Sequence, residues 1–137
     1  MRYGLIGEKL GHSFSKIIHE QLADYTYDLI PLTREELNVF MQEKQFAALN
    51  VTIPYKETVI PYLDEVDAHA QKIGAVNTVV NRDGKLYGYN TDVHGMRELI
   101  LTCGVNITGK RAFILGTGDD EATSEVLYVC LGYSLYL

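Results

Sequence analysis

The 137-residue chain is 47% hydrophobic and 22% charged, and twelve basic against eighteen acidic residues leave a net charge of −6 at neutral pH. This globular composition excludes collagen-like, disordered and coiled-coil chains, and the length suits one domain, or one and a stub, with no room for a complete cofactor-plus-substrate pair of domains. No basic run is present, which argues against nucleic acid or an anionic membrane as a partner.

Apolar periodicity alternates between two and 3.6 along the chain, as strands and helices do in turn. Tyr3 to Ile6 reads as a short strand, followed by a loop from Gly7 to Gly11. A helix is predicted from Ser15 to Ala23 with Ile17, Ile18 and Leu22 as its apolar side, and a strand from Tyr25 to Leu32. Thr33 and Glu36 have the spacing of a capping box, and Leu37, Phe40 and Met41 form the buried stripe of the helix they open. Phe46 to Ile53 is apolar enough for a central strand, which Pro54 ends by removing a ladder donor. Short helical stretches are expected at Tyr55 to Leu63 and Val66 to Ile73. Strands at Ala75 to Asn81 and Lys85 to Asn90 flank Asp83-Gly84, a favoured hairpin pair. A helix from Val93 to Cys103 stops at Gly104. After the connection Val105 to Gly109 come a strand at Lys110 to Leu115, the loop Gly116-Thr117-Gly118, a helix from Glu121 to Leu131 and a strand-like end, Tyr133 to Leu137. Strands joined through crossover helices imply an α/β fold, a mainly parallel sheet flanked by helices with an antiparallel hairpin strand.

Four polar clusters fall at strand-to-loop transitions, where open α/β sheets place ligands. Ser13 and Ser15, one residue apart at a helix start, either donate to one anionic group or cap the helix. Asn50 and Thr52 share one face at the end of the central strand, and Lys56 follows one turn beyond Pro54. Lys56 is either a solvated surface lysine or a proton donor to a carbonyl oxygen. Asn77 offers donors and an acceptor for a sugar-like hydroxyl, or for a turn backbone. Asp92 and Thr91 are candidate N-caps; alternatively Asp92 pairs with Lys56 across a site. His12, His19, His69 and His94 have no metal-ligand spacing, so no metal is expected, although His12 stands beside the serines. The tyrosines have no spacing that suggests a stacking platform, and core packing is the expectation for Tyr55 and Tyr89. Cys103 and Cys130 lie outside any CxxC pattern and are expected to be buried, reduced thiols. No signal-peptide pattern opens the chain and no apolar run nears the roughly 18 residues of a membrane span, so a cytoplasmic location is expected.

The strings Gly11-His12-Ser13-Phe14-Ser15-Lys16, Asn50-Val51-Thr52-Ile53-Pro54-Tyr55-Lys56, Gly74-Ala75-Val76-Asn77-Thr78 and Asn90-Thr91-Asp92, in this order, closely resemble the shikimate dehydrogenase family over residues 1–118. The resemblance implies an N-terminal substrate lobe in which Ser13 and Ser15 grip a carboxylate and Thr52 and Asn77 hold ring hydroxyls, with Asn50 nearby. Lys56 and Asp92 would be the catalytic pair in the NADPH-dependent reduction of 3-dehydroshikimate to shikimate. Such chemistry needs a cation or donor beside the developing alkoxide.

The resemblance also implies NADP as cofactor, held at a glycine-rich turn that Gly116, Thr117 and Gly118 begin. Asp119, Asp120 and Glu121 follow where the family has small residues, and carboxylates there repel a pyrophosphate. The expectation is a catalytic domain over residues 1–104 and a truncated Rossmann-like start of a dinucleotide-binding domain over residues 105–137, with weak or no NADP(H) binding. A rival expectation is a non-catalytic module derived from that enzyme, binding shikimate-like acids or serving association, with the apolar Leu127 to Leu137 stretch as a self-association surface.

Overall fold

The computed structural model describes residues 2–11 and 13–104. In chain order these form β1 (Tyr3–Gly7), α1 (Ser15–Leu22), β2 (Tyr27–Pro31), α2 (Arg34–Glu43), β3 (Ala48–Val51), a 3₁₀ turn (Ile60–Tyr62), β4 (Glu65–Val66), α3 (Ala68–Ile73), β5 (Thr78–Arg82), β6 (Lys85–Tyr89) and α4 (Asp92–Thr102). The six strands make one sheet in the order β2-β1-β3-β5-β6-β4. β1 pairs in parallel with β2 and β3, and β4 with β6, while β5 is antiparallel to both β3 and β6. Thus β5 alone runs against the other strands, as the hairpin predicts. The expected strand, helix and loop over residues 110–131, and the terminal stretch, lie outside the described residues.

Alternation along β1 divides the core between the two faces of the sheet. Ile6 joins the main cluster with Ile30, Leu37, Met41, Leu49, Val51, Val79 and Leu86, so the stripe of α2 covers this face. Leu5 points the other way and packs with Leu10 and Tyr27. The capping box that opens α2 is complete: Glu36 N–H donates to Thr33 Oγ1 at 3.3 Å, and Thr33 N–H donates to Glu36 Oε2 at 2.7 Å. At the hairpin, Asp83 and Gly84 both take positive φ, 53° and 85°. That is the backbone of the turn their sequence favours.

Several expectations change. No residue of α1 is buried, and Ile17, Ile18 and Leu22 all face outward. Its inward face is the polar row Lys16, His19 and Glu20: the His19 ring stacks on Tyr27 at 4.0 Å, and Lys16 donates to Glu20 at 2.9 Å and to the Tyr27 carbonyl at 2.7 Å. Tyr55 to Leu63 is mostly turns, with one 3₁₀ turn carrying Pro61, rather than a helix. Val66 lies in the two-residue β4, because Asp67 caps α3 by accepting from Ala70 N–H at 2.7 Å. Cys103 is exposed rather than buried, lying just past the end of α4; Cys130 is outside the described residues. Tyr55 is fully buried, and its hydroxyl donates to the Leu32 carbonyl at 2.6 Å.

Candidate active site

The register of the sheet brings the polar clusters to one end of it. β1 and β3 run in parallel, with Ile6 beside Val51, so their C-terminal ends coincide. β5 starts at that same end, Thr78 lying opposite Asn50, and β6 finishes there, Tyr89 lying opposite Thr78. The residues immediately beyond these strand ends, Thr52, Asn77 and Asn90 to Asp92, therefore lie together at one end of the sheet's central strands. Ser13 and Ser15 stand on the loop and helix that follow β1.

Local backbone contacts fix each position. Thr52 N–H donates to the Ile6 carbonyl at 3.0 Å, and a Cβ on Gly7 would stand 2.7 Å from Thr52 Cγ2. A side chain at position 7 would require Thr52 and Leu10 to shift from this close approach. The Ile53–Pro54 bond is cis. Tyr55 N–H returns to the Thr52 carbonyl at 2.9 Å, and Val76 N–H donates to the Lys56 carbonyl at 2.8 Å. These bonds tie the segment carrying Lys56 to the segment entering β5.

Lys56 Nζ lies 3.1 Å from Asp92 Oδ2, with the lysine side chain 15% and the aspartate side chain 34% exposed. Asp92 is the first residue of α4, where its charge meets the helix dipole favourably. Thr91 holds the N-cap position without a side-chain cap bond, so neither residue caps the helix by its side chain. Asn90 does this instead: buried, it accepts from Asp92 N–H at 3.0 Å and donates to the Ala75 carbonyl at 3.0 Å.

Asn77 is 8% exposed and both ends of its amide have protein partners. Nδ2 donates to Asp92 Oδ1 at 2.8 Å and to Thr91 Oγ1 at 2.9 Å; Oδ1 accepts from Thr91 N–H and from the Thr78 hydroxyl, each at 2.9 Å. Asn50 is similarly engaged, accepting from the Tyr27 hydroxyl at 2.7 Å and donating to Thr78 Oγ1 at 3.3 Å. Ser13 and Ser15 are half-buried; the Ser13 hydroxyl donates to Ser15 Oγ at 3.1 Å and accepts from Ser15 N–H at 3.2 Å. Phe14 holds the N-cap position of α1 with no side-chain cap bond.

Thus Asn50, Asn77, Asp92 and Lys56 are joined in one hydrogen-bonded group, while Thr52 borders it along the chain. Sequence reasoning assigned no role to Tyr27, Thr78 and Asn90, and to Thr91 only that of a candidate N-cap. Three of them stand inside the quoted motifs, next to residues that were assigned; Tyr27 sits in an ordinary strand pattern that signals only burial. Gly116, Thr117 and Gly118, the expected cofactor turn, and His12 lie outside the described residues. Among the described residues no group of His, Cys, Asp and Glu could hold a metal ion, and no helix is long and apolar enough to cross a membrane.

A family defined as the shikimate dehydrogenase substrate binding domain matches residues 5–79, more than half of the chain. The chain belongs to this family. Its similar relatives include the shikimate dehydrogenase (NADP(+)) of Clostridium perfringens, 43% identical over 124 residues that make up 85% of this chain and 46% of the relative. That of Halothermothrix orenii is 45% identical, over 84% of this chain and 43% of its own length. The chain thus spans about half the length of the curated relatives it matches. Among solved structures, shikimate dehydrogenase 1 from Peptoclostridium difficile superposes with a TM-score of 0.89 at 34% identity, over 97% of this chain and 53% of that one. The Thermus thermophilus enzyme, solved in complex with NADP(H) and shikimate, gives 0.88 at 30% identity, over 98% of this chain and 54% of its own. The mixed sheet with one reversed strand is the fold shared with these shikimate dehydrogenases.

Proposed function

We propose that residues 1–104 form the substrate-binding, catalytic lobe of a cytoplasmic NADP-dependent shikimate dehydrogenase, which reduces 3-dehydroshikimate to shikimate in aromatic amino-acid biosynthesis. The observation that carries this reading is the Lys56–Asp92 pair, 3.1 Å apart and braced by Asn77, at the sheet end where the family motifs meet. A ketone oxygen placed against Lys56 Nζ gains negative charge as its carbon accepts hydride. Lys56 then transfers a proton to that oxygen, and the C=O becomes a CH–OH. Asp92 holds the Lys56 nitrogen in line before and after the proton leaves. Ser13 and Ser15 receive the substrate carboxylate at the open end of α1, where helix amides add to their hydroxyls. Thr52 borders the ring hydroxyls, and Asn77 and Asn50 serve them chiefly by fixing the carboxylate of Asp92. NADPH, when bound, supplies the hydride.

The sequence Asp119-Asp120-Glu121 after the glycine turn favours a second reading, a module that binds shikimate-like acids without turning them over. Three measurements on the purified chain separate the readings. Calorimetric titration with shikimate is expected to give saturable binding; its absence overturns both. Nicotinamide fluorescence is expected to show no saturable micromolar NADPH binding; such binding overturns the weak cofactor site. NADP-dependent oxidation of shikimate distinguishes enzyme from module. Any turnover seen must fall at least about 100-fold in Lys56→Met, with affinity for shikimate changed by less than about fivefold, or Lys56 is not the proton donor.

A further inference from the structure

The partners of Tyr27 and Thr78 form a directional path into the site. We propose that the hydroxyls of Tyr27 and Thr78 are positioning groups for the Lys56–Asp92 pair, acting through Asn50 and Asn77 along one oriented chain of hydrogen bonds. The proposal rests on the reading of Lys56 and Asp92 as the reacting pair.

The orientation of each amide is fixed by partners that can play only one role. Asn50 Nδ2 faces the Asn77 carbonyl, which only accepts, at 3.5 Å, so Oδ1 is left to receive the Tyr27 hydroxyl at 2.7 Å. Asn77 Oδ1 faces Thr91 N–H, which only donates, at 2.9 Å, so Nδ2 is left to meet the Asp92 carboxylate at 2.8 Å. Thr78 stands between the two amides. Its hydroxyl accepts from Asn50 Nδ2 at 3.3 Å and spends its single proton on Asn77 Oδ1 at 2.9 Å. Asp92 Oδ1 is thereby occupied, and Oδ2 is presented to Lys56 at 3.1 Å. Chains of this kind polarise one another, so each link strengthens the next. Tyr27 is itself immobilised: it is 2% exposed and its ring stacks on His19. Burial raises its phenol above the ordinary tyrosine range, so it stays a donor well into alkaline pH.

The test uses the isotope-labelled 137-residue chain and follows two signals, the side-chain NH2 of Asn77 and the ammonium of Lys56, alongside a shikimate titration. Thr78→Val, which keeps the shape and removes the hydroxyl, is expected to speed Asn77 NH2 exchange about tenfold, broaden the Lys56 signal and weaken shikimate binding about fivefold. Thr78→Ser is expected to restore all three. Tyr27→Phe is expected to move the same signals in the same direction by a smaller factor. Unchanged Asn77 and Lys56 signals in Thr78→Val, or failure of Thr78→Ser to restore them, overturn the proposal. If Thr78→Val does not fold, Tyr27→Phe decides, and unchanged signals there overturn it equally. A native chain that binds no shikimate sinks the functional reading alone, because the Asn77 and Lys56 signals report the relay without any ligand.

Discussion

At residue scale, the site depends on what is missing at position 7 as much as on what is present at position 56. A methyl on Gly7 would stand 2.7 Å from Thr52 Cγ2 and 2.8 Å from Leu10 Cδ2, closer than real Cβ contacts come. Gly7→Ala is therefore expected to push the Thr52 strand end outward, weakening shikimate binding about tenfold or more while costing about 1–3 kcal/mol of stability. Calorimetric titration and urea unfolding on the same sample check both; unchanged binding would show that Thr52 does not need this close approach. Sequence made Lys56, Asp92, Asn50 and Asn77 legible as a set, through the family motifs that carry them; singly, each reads equally well as a surface, cap or turn residue. It did not disclose Thr78 or Tyr27, whose importance lies in which atoms they face. A threonine at a strand start and a tyrosine within a strand look alike in sequence whether they fill space or orient an amide.

At the scale of elements, α2 was legible to the level of individual bonds, whereas α1 was read with its faces reversed. The capping box of α2 is local, so sequence spacing determines it. Thr33→Ala removes the hydroxyl accepting from Glu36 N–H and is expected to cost about 1 kcal/mol, read as a lower midpoint in thermal unfolding. The inward face of α1 is instead chosen by partners on the next strand, Tyr27 and its carbonyl, which accommodate His19 and Lys16 better than an isoleucine. Three carboxylates mark where these elements depend on charge. The Lys16 ammonium holds Glu20 below its ordinary value, Thr33 N–H does the same for Glu36, and Leu86 N–H for Asp64. Each binds its proton less readily folded than unfolded, so its contribution is complete above the ordinary carboxylate range and is lost as pH falls through and below it. Acid titration of thermal midpoints should show a decline below about pH 4.5 that Asp64→Asn makes shallower. An identical slope in that variant would remove Asp64 from the account.

At the scale of the whole molecule, the site gathers residues from position 13 to position 92, so its geometry exists only when the sheet is assembled in full register. A ligand bound there stabilises the described fold as a unit. Shikimate at 100 times its dissociation constant is expected to add about 2.7 kcal/mol to unfolding, and a titration of thermal midpoint against shikimate concentration measures it. A flat response would show that shikimate does not bind the folded chain. The topology was legible in outline because alternating periods imply crossovers, and Asp83-Gly84 implies the hairpin. The two-residue β4 was not, since so short a strand carries no period and exists only through its pairing with β6.

The insertion of the reversed β5 between β3 and β6 also sets a timetable for synthesis. β1, β2 and β3 are translated in sequence and can pair at once, but β3 acquires its second neighbour only after residues 52–77 have also been made. During that interval a nascent chain presents an apolar strand with one open row of backbone donors and acceptors, the kind of edge that recruits foreign strands. The nascent chain is therefore expected to be open to foreign pairing along β3 until the hairpin is made, and the arrival of β5, just after Asn77, closes that side.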